Sequence, residues 1–198
     1  MWLLLVTLAG VAIVLLTTRG SLTALAKVRV TTGWLLVLGL AIQAVLEYLS
    51  FPKSEIQTVG YALLMLSYGL MLAFCMANFA TRGFGVILVG VAMNALVIGL
   101  NQGMPTKPIG NDAHGNRVYT PVEQTVKHRQ QRNDDLLGFL GDRILFPRPL
   151  DTVVSFGDLV IAVGICELAY YASRRQTPSI QQSEGEGHLA AQGHGQAP

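Results

Sequence analysis

The sequence predicts an all-α integral membrane protein: a helical bundle of about five transmembrane helices with one long extracytoplasmic loop. Three observations carry that expectation. Of 198 residues, 51% are hydrophobic and only 13% charged, and the mean hydropathy is +0.44; a soluble domain carries about twice that charged fraction. The charges also avoid whole stretches of the chain. Met1–Thr18, Glu55–Thr81 and Gly83–Thr106 contain Glu55 and no other charged residue. Finally, the long apolar runs are free of proline, so a helix through lipid can satisfy its own backbone groups.

A hydrocarbon core about 30 Å thick needs about 20 apolar residues in helix. The first candidate, residues 2–18, is short. It lacks a basic leader and a clear small-residue cleavage site, so a retained helix is expected rather than a signal peptide. Next come residues 31–49, 56–79, 84–100 and 153–172, each rich in Leu, Val and Ala. Ser54-Glu55-Ile56-Gln57 and Ser155-Phe156-Gly157-Asp158 read as capping boxes opening the third and fifth of these. Gly69, Ala73 and Ala77 recur every fourth residue, a small-residue stripe that predicts close packing of the third helix inside the bundle.

Charge near the spans orients them. Arg19, Lys27, Arg29, Arg82, Arg174 and Arg175 fall on one side, and Lys53 alone on the other. The richer side is expected to be cytoplasmic. The protein is then a multi-pass protein of a bacterial plasma membrane, its N-terminus outside and its C-terminus in the cytoplasm. Residues 1–175 form the five-helix domain. From Gln176 to Pro198 the composition turns to Gln, Ser, Gly, Glu, Ala and His, which is expected to stay disordered.

The outer loop, residues 101–152, balances basic against acidic residues. Its first half is turn-rich, from Lys107 to Asn116. Asn133-Asp134-Asp135 ahead of Leu136–Leu140 suggests a capped helical patch lying on the membrane surface. An apolar patch there also argues that part of the loop folds back onto the bundle.

Polar groups at membrane depth are costly and need a reason. Gln43 lies about six residues, or roughly 9 Å, below the outer end of its helix. Asn94 lies at a similar depth, and Asp158 sits just inside the last helix. Glu47 and Asn101 lie above Gln43 and Asn94 on the same helix faces. The plainer account is hydrogen bonding between helices, with Asp158 serving its own helix N-terminus. The sharper account is a ligand-binding polar pocket of Gln43, Glu47, Asn94, Asn101, Asp142 and Asp158, with Asp142 and Asp151 at its rim.

No catalytic residue is assigned, because no metalloprotease, nucleophile-elbow or phosphate-loop motif is present. No metal or cofactor is expected. His188 and His194 in the glycine-rich tail lack further ligands, and Cys75 and Cys166 both lie within apolar segments as packing residues. A net charge of +2 without basic–aromatic interleaving excludes nucleic acid as a partner. The expected partners are the lipid bilayer and a second copy or another membrane protein.

Several motifs together resemble a known family. A short first helix runs into Arg19-Gly20-Ser21-Leu22. Asn94-Ala95-Leu96-Val97-Ile98 is followed by Asn101-Gln102-Gly103-Met104-Pro105. Leu140-Gly141-Asp142, the prolines Pro147 and Pro149, and Ser155-Phe156-Gly157-Asp158 come after. Their order and spacing resemble the bacterial membrane family catalogued as domain of unknown function 5317, from Met1 to about Ala172. Members are usually more apolar where Thr106-Lys107 stand here. The resemblance implies a multi-helix integral membrane protein and brings no activity, cofactor or catalytic residue with it.

The reading that follows is a non-enzymatic structural, accessory or binding component. A small oligomeric transporter or channel component is the alternative, although the inner half of the membrane offers mainly Glu167 for a pathway. A further alternative is a membrane-embedded lipid-modifying enzyme using the outer carboxylates.

Overall fold

The computed structural model describes residues 10–14, 16, 28–48, 56–112, 114, 116–146 and 152–174. The expected first span, Ser54 and Glu55 of the first capping box, the rim residue Asp151 and the tail therefore fall wholly or largely outside the described residues. Four apolar helices make the body: α1 (Gly33–Tyr48), α2 (Tyr61–Ala77), α3 (Phe84–Asn101) and α4 (Phe156–Arg174). A π-helical turn, Ile56–Gly60, leads into α2. Among the described residues, Thr58–Ala77, Phe84–Asn101 and Phe156–Ser173 are long and apolar enough to cross a membrane, while α1 is shorter.

The helices pack in chain order, α1 on α2, α2 on α3 and α3 on α4. Residues 10–14 are also helical, and Gly10 faces α4, where an added Cβ would lie 3.1 Å from Cys166 Sγ. The core is built from Leu46 of α1, Leu64, Tyr68 and Met71 of α2, and Val91, Ala95, Val97 and Ile98 of α3. Below it, Phe74 and Phe84 meet edge to face, with ring centroids 5.3 Å apart.

The α3–α4 contact is the tightest, and glycine makes it so. Gly83, the N-cap of α3, and Gly90 within it oppose Gly164 and Gly157 on antiparallel α4 at the same seven-residue interval. A Cβ at Gly83 would meet Gly164 O at 2.7 Å, and one at Gly90 would meet Gly157 O at 2.6 Å. At each of the four glycines an added side chain would run into the facing segment, at Gly157 into the Asn94 side chain first, the arrangement that lets helices approach closely. Gly83 additionally has φ of 95°, which an L side chain resists.

The predicted stripe Gly69–Ala73–Ala77 does not do this. Among the described residues nothing lies within 4 Å of a Cβ added at Gly69, and Ala73 and Ala77 are exposed. Helix α2 does lie between α1 and α3, but it buries the opposite face: Leu64, Ser67, Tyr68, Met71, Phe74 and Cys75. Larger side chains won that face, and α1 supplies the small residue, Gly39, against Ser67 O.

The all-α expectation needs a second correction, because the described residues of the 101–152 connection form a cap containing strands. Strands β1 (Met104–Thr106) and β4 (His128–Gln130) pair in parallel, β2 (Ile109–Asn111) and β3 (Arg117–Tyr119) form a hairpin, and β5 (Ile144–Leu145) pairs antiparallel with β6 (Val153–Val154). Thr106 and Asp142 add a parallel bridge on the other edge of β1. The β-branched pair Val153–Val154 therefore belongs to the cap, and α4 starts after Ser155. The expected helix over 136–140 shrinks to a 3₁₀ turn, Gly138–Leu140. Leu137 at φ 53° breaks it, and Asp135 turns away to pair with Arg129.

The cap rests on the bundle. Met104 and Val126 are part of the core, and Leu137 and Leu140 pack against it. Val126 presses on Gly60 at the mouth of α2, leaving no room for a Cβ there.

Candidate functional site

The six predicted pocket residues separate into distinct groups. Asn94 and Asp158 meet directly: Asn94 Nδ2 donates to Asp158 Oδ1 at 2.8 Å. Ser155 completes this group. Its hydroxyl donates to Asn94 Oδ1 at 2.9 Å and accepts from the Asp158 N–H at 3.0 Å. The Ser155 N–H donates in return to Asp158 Oδ2 at 3.3 Å, which is the reciprocal capping box read from the sequence. Gly157 is the residue that lets Asn94 in, since a Cβ there would collide with Asn94 Oδ1.

Gln43 is held elsewhere, its Nε2 donating to Ser67 Oγ at 3.2 Å, while Ser67 donates to Leu64 O at 2.6 Å. Glu47 is exposed at the end of α1. Asn101 ties the cap down: its Nδ2 donates to Val97 O and Leu136 O, both at 2.8 Å, and its Oδ1 accepts from the Leu136 N–H at 2.9 Å.

Asp142 is buried inside the cap. Its Oδ2 accepts from Thr106 Oγ1 at 3.0 Å and lies 2.9 Å from His128 Nδ1. Hydroxyl and imidazole thus share one carboxylate oxygen. A nucleophile relay needs the base between them, so this trio orients His128 and closes the β1–β4 edge without activating Thr106. Beside it, Arg129 donates to Asn101 O at 2.9 Å and pairs with Asp135. Burial alone would raise the Asp135 carboxyl. The Arg129 hydrogen bond, the Arg132 N–H and both guanidinium charges outweigh it and hold that carboxyl below the usual range.

Sequence reasoning missed Lys127. It follows the core residue Val126, and its carbonyl accepts from the Met104 N–H at 2.7 Å. Burial pulls its ammonium down, but Tyr68, Asp158, Asp142 and Glu47 more than compensate, and its pKa lies above the ordinary lysine value. The available signal was the basic run Lys127-His128-Arg129 in an otherwise balanced loop, next to a valine. Asn78 was missed too. At the other end of the bundle its side chain accepts from the Thr31 N–H at 2.7 Å and donates to Phe74 O at 2.8 Å.

Among the described residues, no group of three or more His, Cys, Asp or Glu side chains is placed to hold a metal ion. A cavity of about 340 Å³ opens on the cap between Val122, Gln124, Gln130, Gln131 and Arg132, and none of the predicted residues lines it.

Residues 27–170 match the model of a family described as a family of unknown function, DUF5317. The chain belongs to this family. No curated protein and no solved structure matches it. The match covers all four helices but the last residues of α4, and the whole cap, so the paired Asn94–Asp158 network and Lys127 all lie within the DUF5317 region.

Proposed function

We propose that this DUF5317 chain is a multi-pass protein of the bacterial plasma membrane that acts without catalysis, as a structural, accessory or binding component presenting its cap outside the cell. The observation that carries this reading is the mutual satisfaction of the polar groups at membrane depth. Asn94, Ser155 and Asp158 spend their hydrogen bonds on one another, as Gln43 and Ser67 do. Such groups lock helices together and leave little to bind or transform a substrate. The positive-inside pattern supports an N-terminus outside and a C-terminus in the cytoplasm.

Purification in mild detergent after gentle crosslinking tests it. A stoichiometric membrane partner, or a ligand that raises the thermal stability, supports the reading. Recovery of the chain alone, with no stabilising ligand, counts against it. An impermeant maleimide labelling a cysteine at Asn116 but not at Thr81, in intact cells, tests the orientation.

A second reading, a lipid-modifying enzyme at the outer face, is favoured by the His128–Asp142 pair. The buried carboxylate engages Nδ1 and leaves Nε2 as the nitrogen able to exchange a proton with a substrate. Under that reading Asp142→Asn abolishes turnover of added lipid substrates while the fold persists.

A further inference from the structure

The 3₁₀ turn of the cap is apolar on both faces. Leu137 and Leu140, three residues apart, pack against the core. Leu136 and Phe139, also three apart, lie on the other face and are 58% and 56% exposed. Two large apolar side chains standing together on a soluble surface would be unfavourable, because each leaves apolar area in water. Their position explains them. The Asn101 side chain grips Leu136 through both its N–H and its carbonyl, so Leu136 is fixed beside the last turn of α3. On α3 itself, Val89, Leu96 and Leu100 are exposed along one face, at the seven- and four-residue intervals of a single helical ridge. That ridge faces lipid if the bundle spans a membrane, and the Asn101 grip and the packing of the Gly138–Leu140 turn against α3 set Leu136 and Phe139 at the level of that helix's last turn.

We infer that Leu136 and Phe139 form a wedge seated in the outer headgroup–acyl boundary of the bilayer, so that the cap is bound to lipid as well as to the helices. This rests on the membrane-spanning reading proposed above. Interfacial binding of this kind needs a large apolar element with polar neighbours at headgroup level, and Arg132, Asn133 and Asp134 supply the exposed polar flank.

The test uses the full chain in phosphatidylcholine nanodiscs with Trp2→Phe and Trp34→Phe, adding a single tryptophan at a time. Phe139→Trp should lose most of its emission when the lipids are brominated near the headgroup, and little when iodide is added to the buffer. Tyr119→Trp, on the exposed strand β3, should behave the opposite way. Leu96→Trp, midway along α3's outer half, should be quenched by bromines deeper in the chains. If Phe139→Trp is quenched by iodide and not by bromine, the wedge is overturned. If it is silent to both while the protein runs as a dimer, a second copy covers the turn and the lipid assignment is equally overturned. Loss of bromine quenching at Leu96→Trp would instead defeat the membrane-spanning reading itself. Should Phe139→Trp fail to fold, Leu136→Trp carries the same prediction.

Discussion

Asn94 and Asp158, 64 residues apart, bind each other at 2.8 Å where α3 and α4 cross. The bond sits one turn above the Gly90–Gly157 contact, so the closest backbone approach and the strongest polar contact reinforce one another. Asn94→Leu should remove it and leave Asp158 with its capping bonds alone. Interhelical hydrogen bonds in membranes are worth about 0.6 kcal/mol on average and up to about 1.7. Because a half-buried carboxylate loses a donor here, a cost of about 1–2 kcal/mol is expected, read as a lower unfolding temperature in detergent. No change would mean that Ser155 alone sustains Asp158.

Two glycine substitutions should diverge. Gly157→Ala drives a methyl group into Asn94 and toward Gly90 O and should cost about 1–3 kcal/mol through overpacking. Gly69→Ala meets nothing among the described residues and should be neutral or stabilise by about 0.4–1 kcal/mol through the unfolded chain. Parallel thermal melts check the pair. Equal destabilisation would show that the α2 stripe does pack against something.

Lys127→Met keeps most of the side-chain length and removes the charge. The cap then loses the favourable field around that ammonium and should become more sensitive to limited proteolysis at neutral pH. The pH dependence has a definite sign. The folded ammonium has a raised pKa, so its contribution is fully present below the unfolded lysine value of about 10.4 and fades as pH climbs through the higher folded one. Wild type should therefore lose cap protection in that alkaline range. The methionine variant should not show this additional loss.

Asp135 predicts an acid counterpart. Its folded pKa is lowered, so its contribution is present above the unfolded aspartate value of about 3.9 and disappears as pH falls through the folded value. Asp135→Ala strands Arg129, whose guanidinium is otherwise buried. Breaking such a pair typically costs about 3–5 kcal/mol. The expected outcome is a cap that is proteolysed at neutral pH while the helices remain intact. Cleavage at the wild-type rate would contradict it.

The helices were legible because hydropathy and capping are local properties. Residues 84–100 and 56–79 anticipate α3 and α2 closely, and Ser155–Asp158 reads directly as a cap. The Asn94–Asp158 pairing followed only in part, since depth arguments place residues at one level without saying which touch. The stripe on α2 misled because spacing identifies a face but not its neighbour. The glycines that matter belong to two segments whose antiparallel register only the fold provides. The cap was least accessible of all. Its strands are two or three residues long, β1 and β4 pair in parallel across more than twenty residues, and Lys127 acquires its role only when Val126 seats against Gly60.

The joint between α3 and the cap has almost no slack. Gln102 turns left-handed, the Gly103 N–H donates back to Ile98 O at 3.2 Å, and the next residue is already paired to Lys127 O. A lever of this kind carries motion rather than absorbing it. Any tilt of α3 swings the cap with it, so the helix and the strands above it move as one piece.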